Sequence, residues 1–190
     1  MNLYHEIAYR IDPVCWMRNV LGMTPRGWQE EFLRVALGQD VLVLTARQVG
    51  KTTVAACGMA HTALFRPGSL SVVACPAQRQ SAELLRKVRD MVTRAGAELI
   101  SDNVYGLELA NGSRVLALPG TEESIRGLTV DGWIVVDEAA FVSDDMIAAL
   151  RPMRAQKPEA PAVDGKHPHR SVLVGVGKWW RDMDADQGHR

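Results

Sequence analysis

The chain has 190 residues, 47% of them apolar, which suits one domain with a real core. Its 22 basic and 22 acidic side chains cancel, which excludes an overall positive field and leaves any nucleic-acid contact to a local patch. No apolar run approaches the ~20 residues that span a bilayer, the N-terminus lacks a signal-peptide layout, and three scattered cysteines (Cys15, Cys57, Cys75) argue against a disulfide framework and against zinc, so a reducing, cytoplasmic setting without membrane is expected.

No internal repeat is visible. The stretch up to about Gly38 reads as helical, with Trp28, Phe32, Leu33 and Val35 at helix-like intervals after the turn-prone Thr24-Pro25. The continuous apolar run Val41 to Leu44 predicts a strand buried on both faces, as in a parallel sheet. Lys51 to Phe65, rich in Ala and closed by Pro67-Gly68, predicts a helix packed closely on that sheet. Ser71 to Cys75 reads as a second strand. Leu84, Leu85, Val88, Met91 and Val92 then mark one face of a helix, with Arg86, Lys87, Arg89 and Arg94 largely off it.

Two short apolar segments flank Asn111-Gly112, a hairpin signal, because that pair accepts the positive φ angles of a tight turn. Trp133 to Val136 predicts another buried strand, and Met146 to Met153 another helix. From about Gln156 the pattern breaks into Pro, Gly, His and Asp, with Ser171 to Val174 its one strand-like stretch. Strands alternating with helices predict an α/β fold: a mainly parallel sheet flanked by helices, with a β-hairpin insertion near 106–118. Three parts follow: a helical segment 1–38, a core 39–155 and an atypical tail 156–190.

Directly after the first strand stands Thr45-Ala46-Arg47-Gln48-Val49-Gly50-Lys51-Thr52-Thr53, which has P-loop spacing except that Thr45 replaces the usual first Gly. Gly50 lets backbone N–H groups close around phosphate oxygens, Lys51 brings a point charge to the β/γ-phosphates, and the Thr52 hydroxyl can ligate Mg²⁺. The helix starting at Lys51 directs its positive dipole end at the anion. A Gly-Lys-Thr triplet alone is a weak signal and an ordinary turn is the competing reading. Its place between a buried strand and an Ala-rich helix makes it strong. Further on, the Trp133 strand ends in Asp137-Glu138. Asp137 can bind Mg²⁺ and Glu138 can orient and polarise an attacking water, whereas strand-end carboxylates also occur at turns and caps. A P-loop upstream in the same chain favours one ATP-Mg²⁺ site, in a fold of RecA-like, ASCE type.

The variant loop, with Arg-Gln before Gly-Lys-Thr, resembles that of phage terminase large subunits. Cys75-Pro-Ala-Gln-Arg-Gln-Ser81, Leu118-Pro-Gly120, Ile125-Arg-Gly127 and Val136-Asp-Glu-Ala-Ala-Phe141 are similar to further segments of that family, in the same order, over about Pro25 to Gln156. Gly27-Trp28-Gln29 is similar to the adenine-reading Gln motif shared with helicases. The resemblance implies an ATPase motor that drives double-stranded DNA into a procapsid from the host-cell cytoplasm. It implies a ring of identical subunits, with a portal protein and a small terminase subunit as partners. It also implies that Gln29 bonds the adenine edge, with a solvated helix residue as the alternative. Arg47 would stabilise the transferred phosphoryl group as an arginine finger, and Arg126 would sense nucleotide or touch a neighbouring subunit. Arg79, Arg86, Lys87 and Arg89 become candidates for DNA phosphates, although a solvated helix face is the favoured reading of such a run.

Two features of the family are missing. Nothing here holds the acidic metal cluster of the family's nuclease domain, since Asp182, Asp184 and Asp186 sit in a polar stretch, so DNA cutting is not expected. No Ser-Thr-Pro-like motif follows the acidic pair. Lys166 to Arg170 stands near its place, and the genetic code allows codons for these residues that, read one nucleotide later, give Ser-Thr-Pro, so a frameshift near Ala160 is the hypothesis. The pair His167 and His169 lacks a third metal ligand. Two rivals remain: a non-catalytic nucleotide-binding remnant, and a helicase-like translocase, which needs a second RecA-like domain.

Overall fold

The computed structural model describes residues 3–37, 40–46, 48–118 and 128–153, and the backbone of 172–176. Arg47, Arg126, Lys166 to Arg170 with His167 and His169, and Asp182, Asp184 and Asp186 lie outside the described residues.

The helical opening is three pieces, α1 (Leu3–Ile11), α2 (Pro13–Asn19) and α3 (Gly27–Val35). Asp12 divides the first two. Its backbone is extended, its carboxylate accepts the Val14 N–H at 2.9 Å, and Pro13 sits where the first turn needs no N–H. The remaining elements are β1 (Val41–Val43), α4 (Lys51–Phe65), β2 (Leu70–Ala74), α5 (Gln78–Arg94), β3 (Leu99–Asn103), β4 (Gly106–Leu109), β5 (Arg114–Ala117), β6 (Trp133–Asp137), α6 (Asp144–Leu150) and β7 (Val172–Val176).

One seven-stranded sheet runs in the order β1-β7-β6-β2-β5-β4-β3. Its first five strands are parallel, and β4 and β3 extend it antiparallel. The period of two explains how both faces fill. Trp133 and Val135 of β6 and Val73 of β2 join a core built with α2, α3, α4 and α5. Ile134, Val136, Leu70, Val72 and Ala74 face a second core with Met146 and Leu150 of α6. Helix α4 comes so close to the sheet that a Cβ on Gly58 would meet the Trp133 ring, while the Trp133 Nε1–H donates to Thr62 Oγ1 at 2.8 Å.

The chain's first strand departs from expectation. Rather than being buried on both faces, β1 lies at the sheet edge, with Leu42 and Leu44 43% and 44% exposed. Only the Val41 and Val43 side packs on a core. The Asn111-Gly112 hairpin forms, with Gly112 alone in the left-handed region at φ 81°, as in a turn closed by a glycine bulge. The Asn111 side chain instead donates to Ala63 O at 2.8 Å and accepts from Ser113 N–H at 2.9 Å. Strand β5 of this hairpin is also the parallel partner of β2, so the hairpin continues the main sheet. Strand β3 was not foreseen, because its residues are mostly exposed and polar. Most consequential is β7, which lies beyond residue 156 and takes an interior place between β1 and β6. Among the described residues no helix is long and apolar enough to cross a membrane.

Candidate active site

The loop from β1 to α4 is built around left-handed backbone. Gly50 has φ 92°, and a Cβ there would stand 2.7 Å from Gln29 Nε2, so glycine is needed for conformation and for space. The only non-glycine residues with positive φ among the described residues are Gln48 (61°) and Glu138 (52°), one in the loop and one in the acidic pair. Such backbone costs about 1–3 kcal/mol per residue and persists where surrounding structure holds it, commonly at functional sites. Beyond Gly50 the first-turn N–H groups of α4 open onto the loop, an arrangement that favours anions.

Lys51 curls back over this loop, its Nζ donating to the carbonyls of Thr45 and Ala46 at 3.2 Å each. Thr52 turns toward the sheet, and its Oγ1 donates to Asp137 Oδ2 at 2.9 Å. That contact brings together residues separated by 85 positions. Topology makes it possible, since β6 runs parallel to β1 through β7 and both strands end on the same side, where open α/β sheets bind ligands. Burial pushes the Asp137 carboxyl above its ordinary range. The Thr52 hydroxyl and the Glu138 backbone N–H, both donating to it, and the Lys51 charge oppose that rise, and the Glu138 charge adds to it.

Glu138 follows Asp137 into the 3-10 turn Ala139–Phe141 and is exposed. Its N–H donates to Asp137 Oδ1 at 2.9 Å, and its Oε2 accepts from Gln80 Nε2 at 3.0 Å. Thr53 Oγ1 accepts from Lys87 Nζ at 3.2 Å, tying α4 to α5 beside the loop. Gln80 and Lys87 were not foreseen in these places. The signal was positional, since Gln80 lies just after the C-terminal end of β2, on the edge that carries the site.

The remaining sequence candidates divide. Gln29 is 8% exposed and its amide is engaged by the protein itself, with Oε1 accepting from Arg26 N–H at 2.8 Å and Nε2 donating to Val49 O at 3.3 Å. The α5 charge run is largely paired internally, Arg86 with Glu83 and Asp90, and Arg89 with Asp102 and the Asn103 carbonyl. Arg79 and Arg86 are both exposed, and this pairing fits a solvated helix face.

A family model of the terminase large subunit, N-terminal part, T4-like-virus type, matches residues 42–153. Among solved structures, the chain is similar to the large terminase ATPase domain of Thermus phage P74-26 (TM-score 0.68, 20% identity, covering 90% of this chain and 72% of that one). It is also similar to the large terminase of the thermophilic bacteriophage D6E in complex with ADP (TM-score 0.54, 13% identity), covering 88% of this chain and 38% of that chain. A variant of S. cerevisiae Dbp5 bound to RNA and ADP BeF3 has a TM-score of 0.59 at 15% identity, covering 92% and 46%. These likenesses establish a RecA-like α/β fold with a mostly parallel sheet.

Proposed function

Because the chain belongs to the N-terminal family of terminase large subunits of the T4-like-virus type, we propose that it is an ATP-hydrolysing motor domain that drives double-stranded DNA into a procapsid. The observation that carries this reading is the Thr52–Asp137 hydrogen bond, which joins the two halves of a nucleotide site at one point.

In this reading the backbone N–H groups of Thr45, Ala46, Gln48, Val49, Gly50, Lys51, Thr52 and Thr53 cradle the phosphates. The Lys51 ammonium, now on the Thr45 and Ala46 carbonyls, exchanges those acceptors for the β/γ-phosphate oxygens. A hydroxyl and a carboxylate oxygen 2.9 Å apart are the hard oxygen donors that Mg²⁺ takes, so Thr52 and Asp137 would hold it. When bound, the ion neutralises charge on the phosphates. The exposed Glu138 carboxylate, held by Gln80, orients a water and accepts its proton. Arg47 is the residue proposed to stabilise charge on the transferred phosphoryl group, and it lies outside the described residues. As a motor of this family the chain would work in the host cytoplasm as a ring of identical subunits, with a portal protein and a small terminase subunit.

ATP turnover by the purified chain, with and without duplex DNA, tests the proposal. Lys51→Ala abolishes nucleotide binding, whereas Glu138→Gln binds ATP and does not hydrolyse it. Unchanged hydrolysis by Glu138→Gln would refute its role, and absence of turnover in the parent with DNA present would favour a nucleotide-binding remnant.

A further inference from the structure

We propose that Lys87 is a binding residue of the phosphate site, its ammonium carried by α5 to the first turn of α4 to hold the phosphates that stay on the nucleotide. The proposal rests on the reading above, that this loop binds a triphosphate.

Lys87 differs from its neighbours in the α5 charge run. Arg86 pairs with Glu83 and Asp90, and Arg89 pairs with Asp102. Lys87 is half-buried, and among the described residues no carboxylate comes within ion-pair distance of it. Glu83, one turn earlier, is taken by Arg86 at 2.8 Å. The Lys87 Nζ is turned onto α4 instead, where it donates to a neutral oxygen, Thr53 Oγ1, at 3.2 Å.

That place is electrostatically adverse for a cation with no anion beside it. Thr53 lies in the first turn of α4, ahead of the first intrahelical bond, which Val54 N–H makes to Gly50 O at 3.0 Å. The N–H groups of Lys51, Thr52 and Thr53 therefore form the positive end of the helix, which disfavours cations and favours anions. Lys51 brings a second ammonium to the same loop, and its Nζ also rests on neutral carbonyls. The acid bonded to this turn, Asp137, is engaged by the Thr52 hydroxyl and the Glu138 N–H. Two ammonium groups and a helix N-terminus converging without a carboxylate on either lysine form a site for a polyanion, whose oxygens accept charge-assisted hydrogen bonds.

The same helix separates the two ends of the site. Gln80 and Lys87 stand about two turns apart on α5, so they project from one stripe, roughly 10 Å from each other along the axis. Gln80 holds Glu138, the group assigned to the attacking water. Lys87 meets α4 away from that reacting end, so its charge binds substrate and product alike and adds nothing specific to the transition state.

Calorimetry with Mg-ATP, Mg-ADP and Mg-tripolyphosphate, together with thermal unfolding of the nucleotide-free chain, tests the proposal. Lys87→Gln removes the charge and keeps an N–H donor for Thr53. It weakens all three ligands by about tenfold, while the free chain melts no lower than the parent, because a cation has left the positive end of α4. In turnover its KM rises and its kcat stays within about twofold. Lys87→Arg keeps all three affinities within about threefold of the parent. Where Lys87→Gln does melt lower, the arginine variant decides: affinity kept supports the charge, and affinity lost as in Lys87→Gln overturns it. Full affinity in Lys87→Gln, or a loss confined to ATP, also overturns the proposal and leaves Lys87 a tie between two helices. A parent chain that binds none of the three ligands overturns the nucleotide reading as well, whereas tight binding by both parent and Lys87→Gln overturns the proposal alone.

Discussion

Replacing Thr52 by Val keeps the shape of the first turn of α4 and removes the hydroxyl that donates to Asp137 Oδ2 at 2.9 Å. The carboxylate left behind is partly desolvated, and burial already pushes its pKa up. Glu138 N–H still serves the other oxygen. A hydrogen bond to a charged group contributes about 1.5–3 kcal/mol, and partial solvent access at Asp137 trims this to about 1–2 kcal/mol. Urea unfolding of the nucleotide-free chain, followed by tryptophan fluorescence, measures it in a cycle of parent, Thr52→Val, Asp137→Ala and the double variant. The coupling energy is expected at about 1–2 kcal/mol, and Thr52→Val alone lowers Tm by about 2–8 °C. Effects that add to within ~0.5 kcal/mol would show that the loop and the acidic pair do not touch in solution, and would refute the geometry on which the site depends.

Gln80→Met releases the Glu138 carboxylate from its donor, so kcat for ATP falls about tenfold while ATP affinity stays within about twofold; unchanged kcat denies Gln80 any positioning part. Gly58→Ala forces a methyl against the Trp133 ring, which is 2% exposed and tethered to Thr62. Overpacking costs about 1–3 kcal/mol against about 1 kcal/mol gained in helix propensity, so thermal unfolding moves down, and a raised Tm contradicts the close helix–sheet approach. His61, buried on α4 with Nε2 donating to Tyr9 O at 2.7 Å, is pushed down to about 4 by burial. The unfolded chain, with an ordinary histidine near 6.5, therefore takes up the proton first. Stability from this group is complete above about pH 6.5 and declines as pH falls toward about 4, by about 2 kcal/mol between pH 7 and 5. Denaturant titrations of parent and His61→Leu should converge by that amount over this range, and parallel profiles would show that His61 protonates equally well in the folded chain.

The chemistry of the site was legible because it is written in consecutive residues. Thr45 to Thr53 carry their own spacing, and Asp137-Glu138 announce themselves at the end of an apolar strand. Alternation of apolar strands with helices also announced a mainly parallel sheet with both faces covered, as β2 and β6 show. Other features had no local signature. The exposure of Leu42 and Leu44 follows from the edge position of β1, which depends on what pairs beside it. The strand-like stretch Ser171 to Val174 did mark β7 (Val172–Val176), but its interior place comes from pairing with β1 and β6, which no local pattern announces.

The sequence by itself determined which groups could handle a triphosphate, because helix starts, glycine turns and strand-end carboxylates act through bonds between near neighbours. The order of the motifs also led to the expectation that the loop and the acidic pair share one site, and the tertiary structure decided which atoms meet. Thr52 reaches Asp137 across 85 positions, Gln80 reaches Glu138 across 58, and Gln29 Nε2 donates to the Val49 carbonyl across 20. A hydrogen bond forms over about 3 Å of space whatever the separation along the chain, so the order of strands in the sheet sets these partners and no local pattern of residue types can.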